Sequence, residues 1–333
     1  MPEAQVDRFL FTEDTKGLLH FPINHVAADV EIGFACIFGG GCIVCMDAFD
    51  PAESLRTIER EKITALGQVP VMFLLQMKQP EFFETDFSSV RQFIWAGAAA
   101  PNVLMNVLTN IAGQTGARLL TGYGSTEVGG FVTYTRPGDE PEVLAKSAGA
   151  IGDGFELKIV DKERNVLPDG EVGEIAVRGP FLMKGYWNNP GATSEVIDND
   201  GWYYTTDLAR KGENGYIYIS GRKSEMFKSG GENVYPREVE DAIESHPSVL
   251  FAAVTAVPDQ VFQEVGWAFV MPTPGLDVEP DELKKHCKER LANFKVPKKF
   301  FVRPMLPMLS NGKVNKLALK EEVAAMLEKE GGD

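Results

Sequence analysis

Between residues 41 and 127 short apolar runs alternate with stretches of helical spacing, and that order constrains the fold more than any other feature. Residues 41–46 are a short apolar run. Asp50-Pro51-Ala52-Glu53 then has the form of a helix start: a capping aspartate, a proline at the first helical position and a glutamate able to turn back. That helix continues through Leu55, Ile58 and Lys62. Residues 65–69 read as a strand stopped by Pro70, and residues 92–96 as another, ending in Gly97-Ala98-Ala99-Ala100-Pro101. Leu104, Val107, Leu108 and Ile111 recur at helical spacing. Residues 118–121 form the next strand, ending in a loop, Gly122-Tyr123-Gly124-Ser125-Thr126-Glu127. A β-α-β-α order implies a largely parallel sheet with helices on its faces. Such sheets take ligands at the carboxyl ends of their strands, where both glycine-containing loops lie.

From about residue 134 the texture changes. Alternating runs at 156–160, 174–177 and 216–219 are separated by Pro168-Asp169-Gly170, Asn188-Asn189-Pro190, Asp198-Asn199-Asp200-Gly201 and Glu213-Asn214-Gly215. Short strands with such turns predict a small antiparallel sheet or barrel. After about residue 224 the pattern is mixed. Helices are expected from Pro236, from Pro280 and over 317–331, with strands at 250–256 and 267–271. The expectation is therefore an α/β chain: a partial doubly wound parallel sheet (1–133), a small antiparallel β subdomain (134–220), and a small α+β C-terminal domain (225–333). A total of 333 residues suits two or three domains.

The net charge of −15 argues against a general nucleic-acid or membrane-surface binder, which needs a basic field. No apolar run approaches the ~20 residues of a membrane span, and residues 1–8 lack the order of a signal peptide. Cys36, Cys42, Cys45 and Cys287 include one C-x-x-C without a second pair, in an apolar strand-like run, so buried free thiols in a reducing cytoplasm are expected. No Walker phosphate loop, H-E-x-x-H or G-x-S-x-G is present, and four histidines make a histidine-rich metal site a poor fit.

Several polar stretches remain. Tyr123-Gly124-Ser125-Thr126-Glu127 offers a ring to stack on a base, hydroxyls for phosphate and a carboxylate for Mg²⁺, and equally suits a polar turn after a strand. Asp207, in Trp202-Tyr203-Tyr204-Thr205-Thr206-Asp207, suits two ribose hydroxyls or a cap or turn. Ser220 to Pro236 sets Arg222, Lys223 and Lys228 around Gly230-Gly231, suited to an anionic ligand or to a charged surface hairpin. Lys313 follows Asn311-Gly312, a mobile point charge or an ordinary hairpin lysine. His25 is structural or catalytic on its own.

In this order the motifs resemble the adenylate-forming superfamily, which comprises acyl-CoA synthetases, peptide-synthetase adenylation domains and luciferases. They are Gly-Tyr-Gly-Ser-Thr-Glu (122–127), Gly-Glu-Ile-Ala-Val-Arg-Gly with Gly-Tyr-Trp-Asn (173–188), Tyr-Thr-Thr-Asp (204–207), Gly-Arg-Lys-Ser-Glu-Met-Phe-Lys-Ser-Gly-Gly-Glu-Asn-Val-Tyr-Pro (221–236) and Asn-Gly-Lys (311–313). The AMP-forming acyl-CoA synthetase branch is the nearer, and the resemblance spans essentially the whole chain. It implies activation of a carboxylic acid by ATP to an acyl-adenylate and transfer to CoA, with Mg²⁺. It implies that Tyr123 stacks on adenine within a site that includes Gly122, Gly124 and Ser125. Thr126 would bond the α-phosphate, Glu127 would hold Mg²⁺, and Asp207 and Arg222 would bind the ribose. Gly97, Ala98 and Ala99 would line the adenine and carboxylate pocket. His25, Gly97, Val128 and Gly129 would border the acyl group. Lys313 would bridge carboxylate and α-phosphate. Ser224, within a hinge at 221–224, would be the pivot of a mobile C-terminal domain. Lys228, Ser229, Gly230 and Gly231 would face CoA.

The chain departs from that pattern in several places. The Ser/Thr/Gly-rich loop that grips the β- and γ-phosphates in the family does not precede His25, so an incomplete sheet with an open edge is expected, covered by a partner or a second copy, and the chain alone is expected to be a weak catalyst. Thr206 stands where the family has glycine, Ser224 where it has Asp or Lys, and Lys316 where it has Arg. The alternative is a non-catalytic protein that binds a nucleotide or acyl-adenylate. A carrier-loading adenylation domain fits less well, since 229–236 has the CoA-ligase form.

Overall fold

The computed structural model describes residues 2–309 and 314–330. The chain forms two compact units, one of Met1–Ala100, Leu104–Thr205 and Ala209–Ile219, the other of Pro101–Val103, Thr206–Leu208 and Ser220–Asp333. Among the described residues no helix is long and apolar enough to cross a membrane.

The first unit opens with α1 (Pro2–Phe9) and β1 (Lys16–Leu19). A π-helical segment, Ala27–Phe34, then runs into α2 (Ala35–Phe38). There follow β2 (Cys42–Cys45), α3 (Pro51–Glu61), β3 (Ala65–Gln68), α4 (Pro70–Met77), β4 (Gln92–Trp95), α5 (Asn102–Thr115), β5 (Arg118–Ser125), β6 (Gly130–Tyr134), α6 (Pro141–Lys146) and β7 (Ala150–Ile151). These strands form one sheet in the order β2-β1-β3-β4-β5-β6-β7. The run from β2 to β5 is parallel, and β6 and β7 pair antiparallel. Its parallel part is the sheet expected from the strand–helix alternation.

Local chemistry explains the elements. Asp50 caps α3 by accepting the Glu53 N–H at 2.7 Å, and Pro51 takes the first helical position. Glu53 does not turn back to the cap; its carboxylate instead holds Arg56 and Arg60. The π-helical segment packs closely on the sheet because Gly17 and Gly67 leave room for Cys36 and Ile32, which a Cβ at either position would strike. Leu19, Ala28, Ile32, Ala65, Ile94, Leu120, Phe131 and Tyr134 close that face with Phe9 and Phe11.

The cysteine expectation is half wrong. Cys36 and Cys287 are buried, but Cys42 and Cys45 are exposed. The reason is position: β2 is the outermost strand, so an apolar run there does not have neighbours on both sides. Phe34, Ile37 and Phe38 are also exposed large hydrophobics.

β8 (Glu156–Val160), β9 (Gly173–Arg178), α7 (Pro190–Val196), β10 (Tyr203–Lys211) and β11 (Ile217–Arg222) follow. The strands make a sheet in the order β11-β10-β9-β8, with β8 and β9 antiparallel. Val128, Val132, Phe155, Ile159, Ile175, Val177, Tyr203 and Ile217 form its core.

The second unit holds β12 (Phe227–Ser229), β13 (Glu232–Val234), α8 (Pro236–Glu244), β14 (Val249–Asp259), β15 (Gln263–Pro272), α9 (Pro280–Lys288), β16 (Lys299–Val302) and α10 (Lys316–Glu330). Its sheet runs β13-β12-β15-β14 with β16 parallel to β15. Val239 and Ile243 of α8 and Leu283 and Cys287 of α9 cover it, together with Val254, Ala268 and Phe300.

Candidate functional site

In the first unit the carboxyl ends of β4 and β5 lie side by side, since Trp95 pairs with Thr121. Gly97 follows β4 with φ +84°, and Gly97 and Ala98 are exposed. Residues 122–125, expected as a loop, continue β5 instead. The reason is β6: Gly122 and Gly124 have no Cβ to strike the carbonyls of Thr133 and Gly130, so the antiparallel partner comes close enough to extend the strand. The Tyr123 N–H donates to Thr133 Oγ1 at 3.1 Å.

Thr126–Val128 then form a single 3-10 turn that ends at Gly129, φ +75°. Thr126 is exposed and Glu127 half-buried, while Val128 packs into the core of the second sheet. The Glu127 backbone carbonyl accepts from the Met183 N–H at 2.7 Å, and its carboxylate Oε1 accepts from the Tyr186 hydroxyl at 3.2 Å. Tyr203 lies beside them; burial first, then the Glu127 and Tyr186 groups, keep its phenol protonated far above the ordinary range. Burial and the Glu127 charge raise Tyr186 too. The Ser125 hydroxyl is buried without a hydrogen bond of its own. His25 is exposed, and its Nδ1 accepts the Ala27 N–H at 3.1 Å, which is capping work at the start of the π-helical segment.

The second unit places its residues separately. Arg222 Nε donates to Asp207 Oδ1 at 3.0 Å, with the arginine side chain 58% exposed and the aspartate 13%. Asp207 is neither a cap nor a turn residue but lies on β10. Thr206 before it has φ +65°, a conformation that suits the glycine of the resemblance better than a β-branched residue. The Lys223 N–H donates to the Thr206 carbonyl at 2.8 Å, and the amides of Glu225 and Met226 return to the Arg222 carbonyl, so exposed Ser224 sits in a turn.

Beyond it the stretch is the hairpin that its composition also allowed. β12 and β13 pair around Gly230 (φ +62°) and Gly231 (φ +91°), and both glycines serve the turn. Lys228 is exposed, whereas Ser229 is buried with its hydroxyl unpartnered. Lys313 lies outside the described residues. Three residues further on, Lys316 Nζ bonds Glu225 at 2.6 Å and Glu240 at 2.8 Å.

Among the described residues no group of three or more His, Cys, Asp or Glu could hold a metal. A divalent ion in the first unit would therefore share Glu127 with a phosphate. Glu127 Oε1 takes the Tyr186 hydroxyl. Tyr186 and Tyr203 escaped the sequence reading. Tyr186 lay within a quoted motif, but its contact with Glu127, 59 residues away, has no local sequence signal.

The family model described as AMP-binding enzyme matches residues 3–187, and that described as AMP-binding enzyme C-terminal domain matches residues 238–313. The chain is 35% identical to a feruloyl-CoA synthase of Amycolatopsis sp, over 91% of this chain and 60% of that protein. It is 32% identical to the mitochondrial medium-chain acyl-CoA ligase ACSF2 of Homo sapiens, over 93% of this chain and 51% of the relative. It thus spans about half to three-fifths of the length of these curated relatives. Among solved structures, ATP-bound MatB from Rhodopseudomonas palustris superposes with a TM-score of 0.86 at 30% identity, covering 96% of this chain and 62% of that one. The anthranilate CoA ligase AuaEII in complex with anthranoyl-AMP gives 0.86 at 26% identity, covering 97% and 62%. With matching models on both sides of the junction and relatives above 30% identity along nearly its whole length, the chain belongs to the AMP-binding enzyme family.

Proposed function

We propose that this chain carries the adenylate-handling part of an AMP-forming acid–CoA ligase. The observation that carries the reading is the Thr126–Glu127 turn at the carboxyl end of β5, with the Glu127 carboxylate held by the Tyr186 hydroxyl. From the first unit, Tyr123 stacks on adenine, Gly122, Gly124 and Ser125 shape the nucleotide's path, and Thr126 donates to the α-phosphate. Gly97, Ala98 and Ala99 line the adenine and the carboxylate. His25, Gly97 and Gly129 border the acyl group, with Val128 behind them. From the second unit, Asp207 accepts from the ribose hydroxyls and Arg222 donates to them. Lys313 bridges the substrate carboxylate and the α-phosphate. Lys228, Ser229, Gly230 and Gly231 serve CoA, and Ser224 is the pivot of the hinge at 221–224.

In the first step a carboxylate oxygen attacks the α-phosphorus and the bond to pyrophosphate breaks. Like charges meet there, and the Lys313 ammonium offsets them. Mg²⁺, when bound at Glu127, neutralises phosphate charge. In the second step the CoA thiolate attacks the acyl carbonyl, and AMP leaves with the electron pair of the C–O bond. Two nucleophiles in turn suit a pivoting second unit. The relatives act on aromatic and medium-chain acids, and an acid of that range is the substrate class proposed here. The exposed edge strand β2, with Phe34, Ile37 and Phe38, supports a covering partner or second copy. The free thiols support a reducing cytoplasm.

The test is calorimetric titration of the 333-residue chain with AMP and with Mg·ATP, beside carboxylate-dependent ATP–pyrophosphate exchange. The chain should bind AMP, should lose about tenfold affinity on Tyr123→Ala or Arg222→Ala, and should catalyse little exchange. Absence of AMP binding would sink the nucleotide assignment. Robust exchange would show that no further phosphate loop is needed.

A further inference from the structure

Glu31 lies in the middle of the π-helical segment Ala27–Phe34, and its side chain is out of water, with the residue 5% exposed. Among the described residues no cation pairs with it. Its Oε1 accepts the Phe131 N–H at 2.5 Å, and its Oε2 accepts the Gln5 Nε2 at 2.8 Å. The Tyr134 hydroxyl reaches Gln5 Oε1 and lies 2.8 Å from the Phe131 carbonyl. The three side chains and the Phe131 backbone thus form a closed polar knot inside an apolar core that includes Phe9, Phe11 and Ile32.

This knot grips one end of the Thr126–Glu127 turn. Ser125, before the turn, pairs with Gly130, after it, and Phe131 is the next residue. Gly130 has φ +120°, and a Cβ there would collide with Glu31 Oε1. The carboxyl therefore occupies the place of a side chain at position 130 and ties the returning strand to the segment that begins next to His25. A buried carboxyl without a cation is expensive, and an apolar side chain of similar size would fill the space without that cost.

We propose that Glu31 is a positioning residue, which through the Phe131 amide and Gln5 holds the turn that presents Thr126 and Glu127. The proposal rests on reading that turn as the adenylate site. Burial raises the Glu31 carboxyl to about 8, with the Phe131 amide opposing and Asp29 adding, so it is protonated near neutral pH. A protonated acid has a donor as well as an acceptor. The Gln5 amide can turn to accept that proton, donate to the Tyr134 hydroxyl, and leave the hydroxyl to donate to the Phe131 carbonyl. A glutamine at position 31 reproduces every one of these bonds. An aspartate is one methylene too short to reach the Phe131 amide.

The experiment is Mg·ATP titration of the full chain as wild type, Glu31→Gln, Glu31→Asp and Glu31→Ala, with amide hydrogen exchange at Phe131 in each. The Gln variant should bind within about threefold of wild type, while Asp and Ala lose about tenfold, one hydrogen bond's worth, and lose Phe131 protection. The reverse order, Asp active and Gln impaired, would assign the role to negative charge and overturn the brace. Equal binding by all four would overturn it as well, leaving the nucleotide reading intact. No binding even by the wild type removes the nucleotide reading and this one with it. If Asp and Ala abolish the cooperative melting of the first unit, the residue is a folding element and the positioning role fails.

Discussion

Glu31 in the first unit and Glu240 and Glu244 in the second are all carboxyls taken out of water, and the two units treat them in opposite ways. Among the described residues Glu31 hydrogen-bonds to neutral dipoles and pairs with no cation. Glu240 accepts the Val254 amide at 2.9 Å and the Lys316 ammonium at 2.8 Å, and Glu244 accepts the Ala252 amide at 3.0 Å and Arg237 at 2.8 Å. Arg237 also pairs with Asp241. Burial pushes Glu244 up, and Arg237 restrains the rise to about 6. Carboxylates around Arg237 outweigh its own burial and hold its guanidinium firmly charged. Dipoles hold a neutral acid and place a backbone amide. Ion pairs bind whole elements together: Lys316 joins the start of α10 to α8 and to Glu225.

The contrast breaks first, and with the largest effect, at Arg237. Arg237→Ala leaves the buried Glu244 carboxylate without its cation and should cost the second unit about 3 kcal/mol, read from urea melts. A loss below about 1 kcal/mol would mean that the network is held by hydration rather than by pairing.

The pH dependence of the first unit follows next. The Glu31 pKa is about 8 folded against 4.5 in the reference state. Between those values the folded state binds the extra proton, so stability falls as pH rises. The contribution is fully present below about 4.5, is lost by degrees up to about 8, and is flat above it. Glu31→Gln should remove that slope, which amounts to a few kcal/mol, while the second unit's transition keeps its own pH response. A slope unchanged in the variant would place the titrating group elsewhere.

The smallest effect sharpens the comparison at a largely buried carboxylate, Asp207. Thr206 holds its left-handed φ against its branched side chain. Thr206→Gly should stabilise the second unit by about 1 kcal/mol, less the entropy a glycine adds to the unfolded chain. Thermal melts decide it, and a destabilised variant would mean that the threonine side chain contributes more than its strain costs.

Much of the fold was legible because its signals are local. The strands at 65–68 and 92–95 and the helices opened by Pro51 and Pro236 lie where spacing and capping chemistry put them. Residues 122–125 misled because glycines read as a loop, while here they admit a neighbouring strand. Cys42 and Cys45 misled because an apolar run does not say whether its strand is central or outermost. In the candidate site the motif residues themselves were visible. The groups that hold them were not: Tyr186 meets Glu127 across 59 residues, and Phe131 meets Glu31 across 100.

From the sequence alone came the strand–helix alternation, the order of the motifs and the chemistry those residue types can do, because periodicity, caps and turns act within a few neighbours. The tertiary structure decided which carboxyls leave water, which of them meet a cation, and that one neutral acid occupies the place of a side chain at Gly130. Burial and partnership depend on elements distant in the chain, and only the packed sheet brings them within hydrogen-bonding distance.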